Sequence, residues 1–156
     1  MNKEEQLLSN LRDVYHKLSW LNKLKMDVAL KGYKSSEVHC IEFIGKNTDT
    51  NVTKLAKAFY MTRGAMSKAT KKLIQKKLIE SYQEVDNKKE IYFKLTPKGK
   101  EIFDIHEKLH NEFKQRDRAI FAQITQEQFD EIIGLTNKYS QHLDAEINKQ
   151  KHTTKS

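Results

Sequence analysis

The sequence predicts a mainly α-helical fold with a minor β component, and three observations lead to this class. The 156 residues include only five glycines and one proline, Pro97, which are too few for the frequent turns of a sandwich or barrel. Apolar residues recur at helical spacing through most of the chain. Only the segment 79–95 changes to β-branched and aromatic residues around a polar turn, which indicates a single hairpin.

The first predicted element is one long amphipathic helix over residues 4–30. Its apolar residues follow alternating spacings of four and three, which makes a seam for packing against other helices. Gly32 is a natural terminator of this helix. The seam begins with Leu7, Leu11, Val14 and Leu18.

Three further helices are predicted before the hairpin. The first spans about 36–44 and is capped by Ser35 or Ser36. A short helix over 52–59 and a longer one over 62–78, capped by Thr62, follow it.

Two helices are predicted after the hairpin, whose polar turn is placed at 86–89. Thr96 caps the first of them and Pro97 occupies its first position, with a bend or break near 114–118 left open. Thr125, with Glu127 and Gln128 behind it, opens the last helix through a capping box. Residues 151–156 are expected to form a frayed tail. The last helix carries a second apolar stripe at Phe129, Ile132, Thr136, Tyr139, Leu143 and Ile147.

Charge is distributed unevenly along the chain, which has a net charge of +8. The thirty residues 50–79 contain eight basic residues and no acidic residue. A solvated helical face normally mixes signs to gain i,i+4 ion pairs, whereas an acid-free face builds the positive field that phosphate binding requires. This segment therefore favours a nucleic-acid partner over a merely soluble surface.

The same segment has the spacing of a helix-turn-helix. Leu55, Ala56 and Phe59 form the inner face of the short helix, and Met66 and Leu73 belong to the inner face of the next one. The second helix then acts as the reader, with small residues at its N-terminal end that allow close approach to the major groove. Lysines in the hairpin can lie along the adjacent backbone. The predicted DNA-binding residues are Thr53, Lys54, Thr62, Arg63, Gly64, Ser67, Lys68, Lys71, Lys72, Asp86, Lys88 and Lys89.

Two segments together carry a family resemblance. "LAKAFYMTRGAMSKATKKLIQKKLI" followed by "ESYQEVDNKKEIYFKLTPKGKEI" resembles the winged helix of the MarR family of bacterial transcriptional regulators. The order of elements on both sides also agrees. The family's Asp-x-Arg motif at the wing tip corresponds to Asp86, Asn87 and Lys88, with lysine in place of the arginine, and Lys77 stands where many members have glycine.

The resemblance implies a homodimer whose first helix and last two helices intertwine. The two apolar stripes support this independently, because they are too extensive to leave exposed. The expected organisation is a dimerisation helix at 1–34, a winged helix-turn-helix at 35–98, dimerisation helices at 99–150 and the tail at 151–156. The predicted dimerisation residues are Leu7, Leu11, Val14, Leu18, Phe129, Ile132, Tyr139, Leu143 and Ile147.

One motif points to a different chemistry. His106-Glu107-Lys108-Leu109-His110 matches H-E-x-x-H, the zinc-and-base signature of metalloproteases. His106 shares an apolar stripe with Ile102 and Leu109, so packing at a helix interface is the favoured role. A regulatory metal site stays open as an alternative, and no resident metal or cofactor is predicted.

Cys40 is the only cysteine, which excludes an intrachain disulfide and agrees with a cytoplasmic location. A buried, inert thiol is favoured over a redox sensor. Tyr15, Trp20, Tyr33 and Tyr60 are candidates either for a small-ligand pocket or for the core.

The predicted function is a non-enzymatic, sequence-specific regulator of transcription. It is expected to act as a ligand-responsive repressor, binding double-stranded DNA as a homodimer on an inverted repeat, without membrane association. The alternatives are a zinc- or redox-sensing regulator of the same fold, a general nucleic-acid-coating protein, and, least favoured, a zinc metallohydrolase using His106, Glu107 and His110.

Overall fold

A computed structural model describes residues 2–153, and it contains six helices and one two-stranded antiparallel sheet in the described part. The order of elements agrees with the sequence prediction. The elements are α1 (Lys3–Ala29), α2 (Ser35–Lys46), α3 (Val52–Ala58), α4 (Arg63–Gln75), β1 (Ile79–Glu84), β2 (Asn87–Leu95), α5 (Pro97–Phe121) and α6 (Gln126–Thr153).

Local capping explains most helix boundaries. The Thr62 hydroxyl accepts a hydrogen bond from the Ala65 amide at 3.1 Å, as predicted for the start of α4. Thr125 and Gln128 form the predicted capping box, because each side chain bonds to the other's backbone amide at 3.2 and 2.9 Å. Gly32 takes a φ of 94° just beyond α1, as expected of a terminator.

The structure corrects the predicted start of α2 and the predicted end of α4. Helix α2 starts at Ser35 behind Lys34, whose amide donates to the Glu37 carboxylate, so neither serine provides the cap. Helix α4 ends at Gln75 rather than near Leu78. Helix α5 runs unbroken through 114–118. Helix α6 continues to Thr153, so residues 151–153 are helical, while 154–156 of the expected tail lie outside the described residues.

The hairpin turn also differs from the prediction. Glu84 pairs with Asn87, so the turn consists of Val85 and Asp86, and the register is irregular between Tyr82 and Glu84. Lys88 and Lys89 therefore lie at the start of β2 rather than in the turn. The physical reason is a bulge in β2, because four residues of β2 lie opposite one residue of β1 between the pairs Tyr82–Tyr92 and Glu84–Asn87, which shifts the turn relative to an even alternation.

The chain divides into two compact units between Phe113 and Lys114. The main core lies in the first unit, where α2, α3, α4, the hairpin and the start of α5 meet. Its fully buried side chains include Ile41, Leu55, Met66, Leu73, Leu78 and Ile79. The second unit consists of the end of α5 and α6, and the Phe121 and Phe129 rings stack there at 6.3 Å between centroids.

Helices α1 and α6 have no buried residues, although both carry long apolar stripes. Leu11 remains 45% exposed and Val28 80% exposed on α1, and Leu143 remains 43% exposed on α6. Of the predicted dimerisation residues, only Phe129 and Ile147 are half-buried. None of the helices in residues 2–153 combines the length and apolar character needed to cross a lipid bilayer.

Candidate nucleic-acid interface

Helices α3 and α4 pack through the inner faces that the sequence predicts. Leu55, Ala56, Met66 and Leu73 are buried in the core, and Ala69 packs against it. Four residues, 59–62, join the helices, and Tyr60 takes a left-handed φ of 53° there. The opposite face of α4 is thereby left on the surface.

The end of α4 is fixed by a Schellman motif. The Lys77 amide donates to the Ile74 carbonyl at 2.9 Å, and the Leu78 amide donates to the Leu73 carbonyl at 3.0 Å. Lys77 has the left-handed φ of 59° that this motif requires. A lysine therefore occupies a conformation that glycine adopts more easily.

The predicted DNA-binding residues share one property, because eleven of the twelve are exposed and Ser67 is half-buried. Within the part of the chain that the structure describes, Arg63, Lys68, Lys71 and Lys72 form no salt bridge. Lys76 does pair with Glu37, at 2.6 Å. The positive charge at the start and middle of α4 therefore remains available for an anionic partner.

Two of the predicted contacts are already engaged within the fold. The Lys54 ammonium donates to the Asp49 carbonyl at 2.8 Å, which holds it beside the start of α3. The Thr62 hydroxyl serves as the cap of α4. Both side chains therefore position the helix pair, whatever else they touch.

Hydrogen bonds attach the hairpin to the residues that precede α3. The Phe93 amide donates to the Thr50 carbonyl at 2.8 Å, and the Tyr82 hydroxyl donates to Asp49 at 3.0 Å. Burial and the Asp49 carboxylate raise the pKa of Tyr82, which keeps this hydroxyl a donor. Asp86, Lys88 and Lys89 are exposed beyond this anchored base.

Sequence reasoning missed one residue beside the H-E-x-x-H motif. Glu42 of α2 places Oε2 2.8 Å from His106 Nδ1 and 3.6 Å from His110 Nε2, and the two histidine Nε2 atoms lie 3.2 Å apart. Glu107 faces Lys46 at 3.1 Å. Burial lowers the pKa of His106, against the opposing effect of Glu42, so its neutral form is favoured at pH 7. The sequence did carry a signal for Glu42, because it is a charged residue between the apolar Ile41 and Phe43.

Cys40 is buried, as expected. Burial and the nearby Glu37 carboxylate raise the pKa of its thiol to about 11. The thiol therefore stays protonated near neutral pH, which is the environment of an inert cysteine.

This chain is similar in sequence to known proteins. A model of the MarR family matches residues 34–91. The HTH-type transcriptional regulator PchR of Bacillus subtilis (strain 168) is 31% identical over 148 residues, covering 86% of this chain and 88% of PchR.

The chain belongs to the MarR family.

It is therefore a DNA-binding transcriptional regulator of the winged helix type. The uncharacterized HTH-type regulator YhjH of the same organism is 35% identical over 108 residues, covering 67% of this chain and 61% of YhjH.

Solved structures of this family show the same fold. FabT of Streptococcus pneumoniae in complex with DNA has a TM-score of 0.75 at 21% identity, covering 92% of this chain and 99% of FabT. MarR of Staphylococcus aureus in complex with salicylate and kanamycin has a TM-score of 0.69 at 21% identity, covering 92% and 93%. The resemblance that the sequence motifs carry is confirmed.

Proposed function

We propose that this MarR-family protein is a ligand-responsive repressor that binds an inverted repeat as a homodimer. In this proposal α4 enters the major groove, and the hairpin acts as a wing beside it. Ser67, Lys68 and the N-terminal end of α4 choose bases, while Lys54, Arg63, Lys71, Lys72, Lys88 and Lys89 hold phosphates. The protein acts in the cytoplasm and is not an enzyme.

One observation carries the DNA-binding half of the proposal. The thirty residues of segment 50–79 contain no acid, and the basic side chains at the start and middle of α4 are exposed without an acidic partner among the described residues. Such a surface binds DNA favourably because it displaces counterions from the phosphates. The 21%-identical FabT is in complex with DNA in its solved structure, which is consistent with this use of the fold.

The exposed stripes on α1 and α6 support the homodimer. A monomeric soluble protein rarely exposes contiguous apolar patches of this kind, and a second copy is the simplest surface to cover them. Two α4 helices in such a dimer match half-sites about 34 Å apart when both lie on one side of the duplex.

A cavity of about 340 Å³ in the first unit supports a response to small ligands. Tyr15 and Tyr33, two of the aromatic residues considered from the sequence, line it. Trp20 and Tyr60 do not line it and are exposed. MarR of S. aureus is in complex with salicylate in its solved structure, which makes an aromatic acid a reasonable first probe.

Selection of bound sites from random double-stranded DNA tests the proposal. The expected result is a two-fold symmetric site with half-sites one helical turn apart, bound by two chains. Competition with unrelated DNA separates this from a general coating protein, which would show no sequence preference. An asymmetric site, or binding by a single chain, would contradict the proposal.

A further inference from the structure

Tyr60 occupies the left-handed position of a Schellman motif at the end of α3. Its amide donates to the Lys57 carbonyl at 3.4 Å, and the Met61 amide donates to the Ala56 carbonyl at 2.9 Å. Glycine adopts the φ of 53° found at Tyr60 without strain, whereas a bulky L-residue rarely does. A large side chain is therefore retained at a position where the backbone alone favours none.

Packing within the fold does not account for the tyrosine. Tyr60 is 57% exposed and does not line the cavity that Tyr15 and Tyr33 line. It also belongs to neither of the apolar stripes on α1 and α6 that a second copy is proposed to cover. More than half of its surface is therefore accessible to another kind of molecule.

The surroundings of Tyr60 indicate the chemistry of that molecule. Tyr60 lies two residues before Thr62, which caps α4. Lys57 and Arg63, three residues to either side of Tyr60, are both exposed, and the segment 50–79 contains no acidic residue. An exposed ring between two exposed cations, at the start of the predicted reader helix, suits a polyanion.

The position of Tyr60 outside α4 points to the DNA backbone rather than to the bases. In the proposed function α4 itself lies in the major groove, so a side chain from the turn before it reaches the edge of the groove, where deoxyriboses and phosphates lie. A tyrosine suits this edge, because its ring packs on a sugar while its hydroxyl donates to a phosphate oxygen. Such a contact fixes the protein on the duplex without reading sequence.

We propose that Tyr60 is a DNA-contacting residue that packs on the sugar-phosphate backbone beside the groove that α4 enters. This inference rests on the proposed function and adds a neutral, aromatic contact to its lysine and arginine contacts. The strained conformation of Tyr60 is then a local cost to folding that DNA binding offsets.

Fluorescence anisotropy with two duplexes tests the contact, one carrying the site selected from random DNA and the other an unrelated sequence. Tyr60→Gly should weaken binding to both duplexes roughly 10-fold, because it removes an apolar contact and a hydrogen bond to a charged group. Tyr60→Phe keeps the ring and should lose a smaller factor. The salt slope should stay the same in both variants, because no charge is removed.

Urea unfolding separates this contact from a structural role. Tyr60→Gly relieves the left-handed strain, so its unfolding midpoint should be equal or higher while its DNA affinity falls. Tyr60→Asn removes the ring with a residue that tolerates the left-handed conformation, and it should weaken binding as Tyr60→Gly does. Lys77→Gly is the matched control, because it relieves the same strain at the opposite end of α4. Any effect of its lost charge appears in the salt slope.

Three results overturn the contact. They are affinities of Tyr60→Gly and Tyr60→Asn equal to that of the unmodified protein, a comparable loss in Lys77→Gly with an unchanged salt slope, and a loss confined to the selected site. The second would assign the effect to backbone conformation, and the third would assign Tyr60 to the bases. If the unmodified protein binds neither duplex, the proposed function itself fails, so the two failures are distinguishable.

Discussion

Lys77 has a strained backbone conformation that the Schellman motif at the end of α4 requires. Its φ of 59° belongs to the left-handed region, which costs an L-residue about 1–2 kcal/mol. The conformation persists because Leu78 and Leu73, joined by the Schellman bond, are both buried. The strain is therefore balanced by packing at the end of α4.

Replacing Lys77 with glycine should raise the free energy of unfolding by up to about 1 kcal/mol, because the relief of strain exceeds the entropy that glycine loses on folding. Urea unfolding followed by circular dichroism measures this. Lys77→Ala is the control, since alanine removes the charge and keeps the strain. Equal stabilisation by both variants would show that charge, not backbone conformation, is responsible.

Single side chains of α4 should separate affinity from specificity. Lys71→Ala should weaken binding to all DNA and lower the salt slope by about one unit, because a phosphate contact is lost. Ser67→Ala or Lys68→Ala should weaken binding by about 1–3 kcal/mol and relax the preference at one base pair.

Fluorescence anisotropy over a range of salt concentrations measures both effects. Lys17→Ala on α1 is the control for the loss of one positive charge and should change neither quantity. Binding that does not respond to salt would refute the role assigned to the basic face.

The start of α5 depends on a close approach between two elements. A Cβ atom at Gly99 would overlap the backbone carbonyl oxygen of Leu78, just beyond α4. That carbonyl also accepts a hydrogen bond from the Thr96 amide at 3.1 Å. Neither group can move away without breaking the junction of α4, β1 and α5.

Gly99→Ala should therefore lower the free energy of unfolding by about 1–3 kcal/mol, as overpacking does. Gly64→Ala is a matched control in the first turn of α4, where an added Cβ meets no atom within 4 Å. It should raise stability by up to about 1 kcal/mol through helix propensity. Thermal unfolding measures both changes in stability. If the two variants change stability in the same direction, the close approach is contradicted.

For the whole molecule, the exposed stripes are the feature with the largest consequence. Leu11→Glu on α1, or Leu143→Glu on α6, should give a monomer or an unfolded chain, because a charge in an apolar interface lacks a partner. Sedimentation equilibrium measures the mass, and DNA binding is tested alongside.

Val85→Glu is the control for these charged substitutions. Val85 is 89% exposed at the hairpin turn and stands outside both stripes, so the assembly should be unchanged. A stable monomer of Leu11→Glu that still binds the symmetric site with full affinity would refute the dimer.

Much of this fold could be predicted because its signals are local. The caps at Thr62, Thr96 and Thr125 act within three residues, and the apolar stripes repeat within a turn or two. The acid-free segment is visible in the sequence alone. The DNA-binding residues assigned from it are exposed, apart from the half-buried Ser67, and the roles given to them remain predictions.

The features that were missed depend on contacts between distant residues or on backbone conformation. Glu42 meets His106 only because α2 packs against α5, and 63 positions separate them in the chain. A lysine at position 77 gives no hint of a left-handed φ. The hairpin turn was misplaced because the bulge in β2 leaves no mark on the alternation of side chains.

The hydroxyl of Thr96 links the reader helix to the long helix. It donates to the Lys77 carbonyl at 2.6 Å and accepts from the Gly99 amide at 3.1 Å. With Gly99 tight against Leu78, this joint has no slack in which one helix could pivot while the other stays still. We therefore expect a tilt at the beginning of α5 to move the C-terminal end of α4 with it.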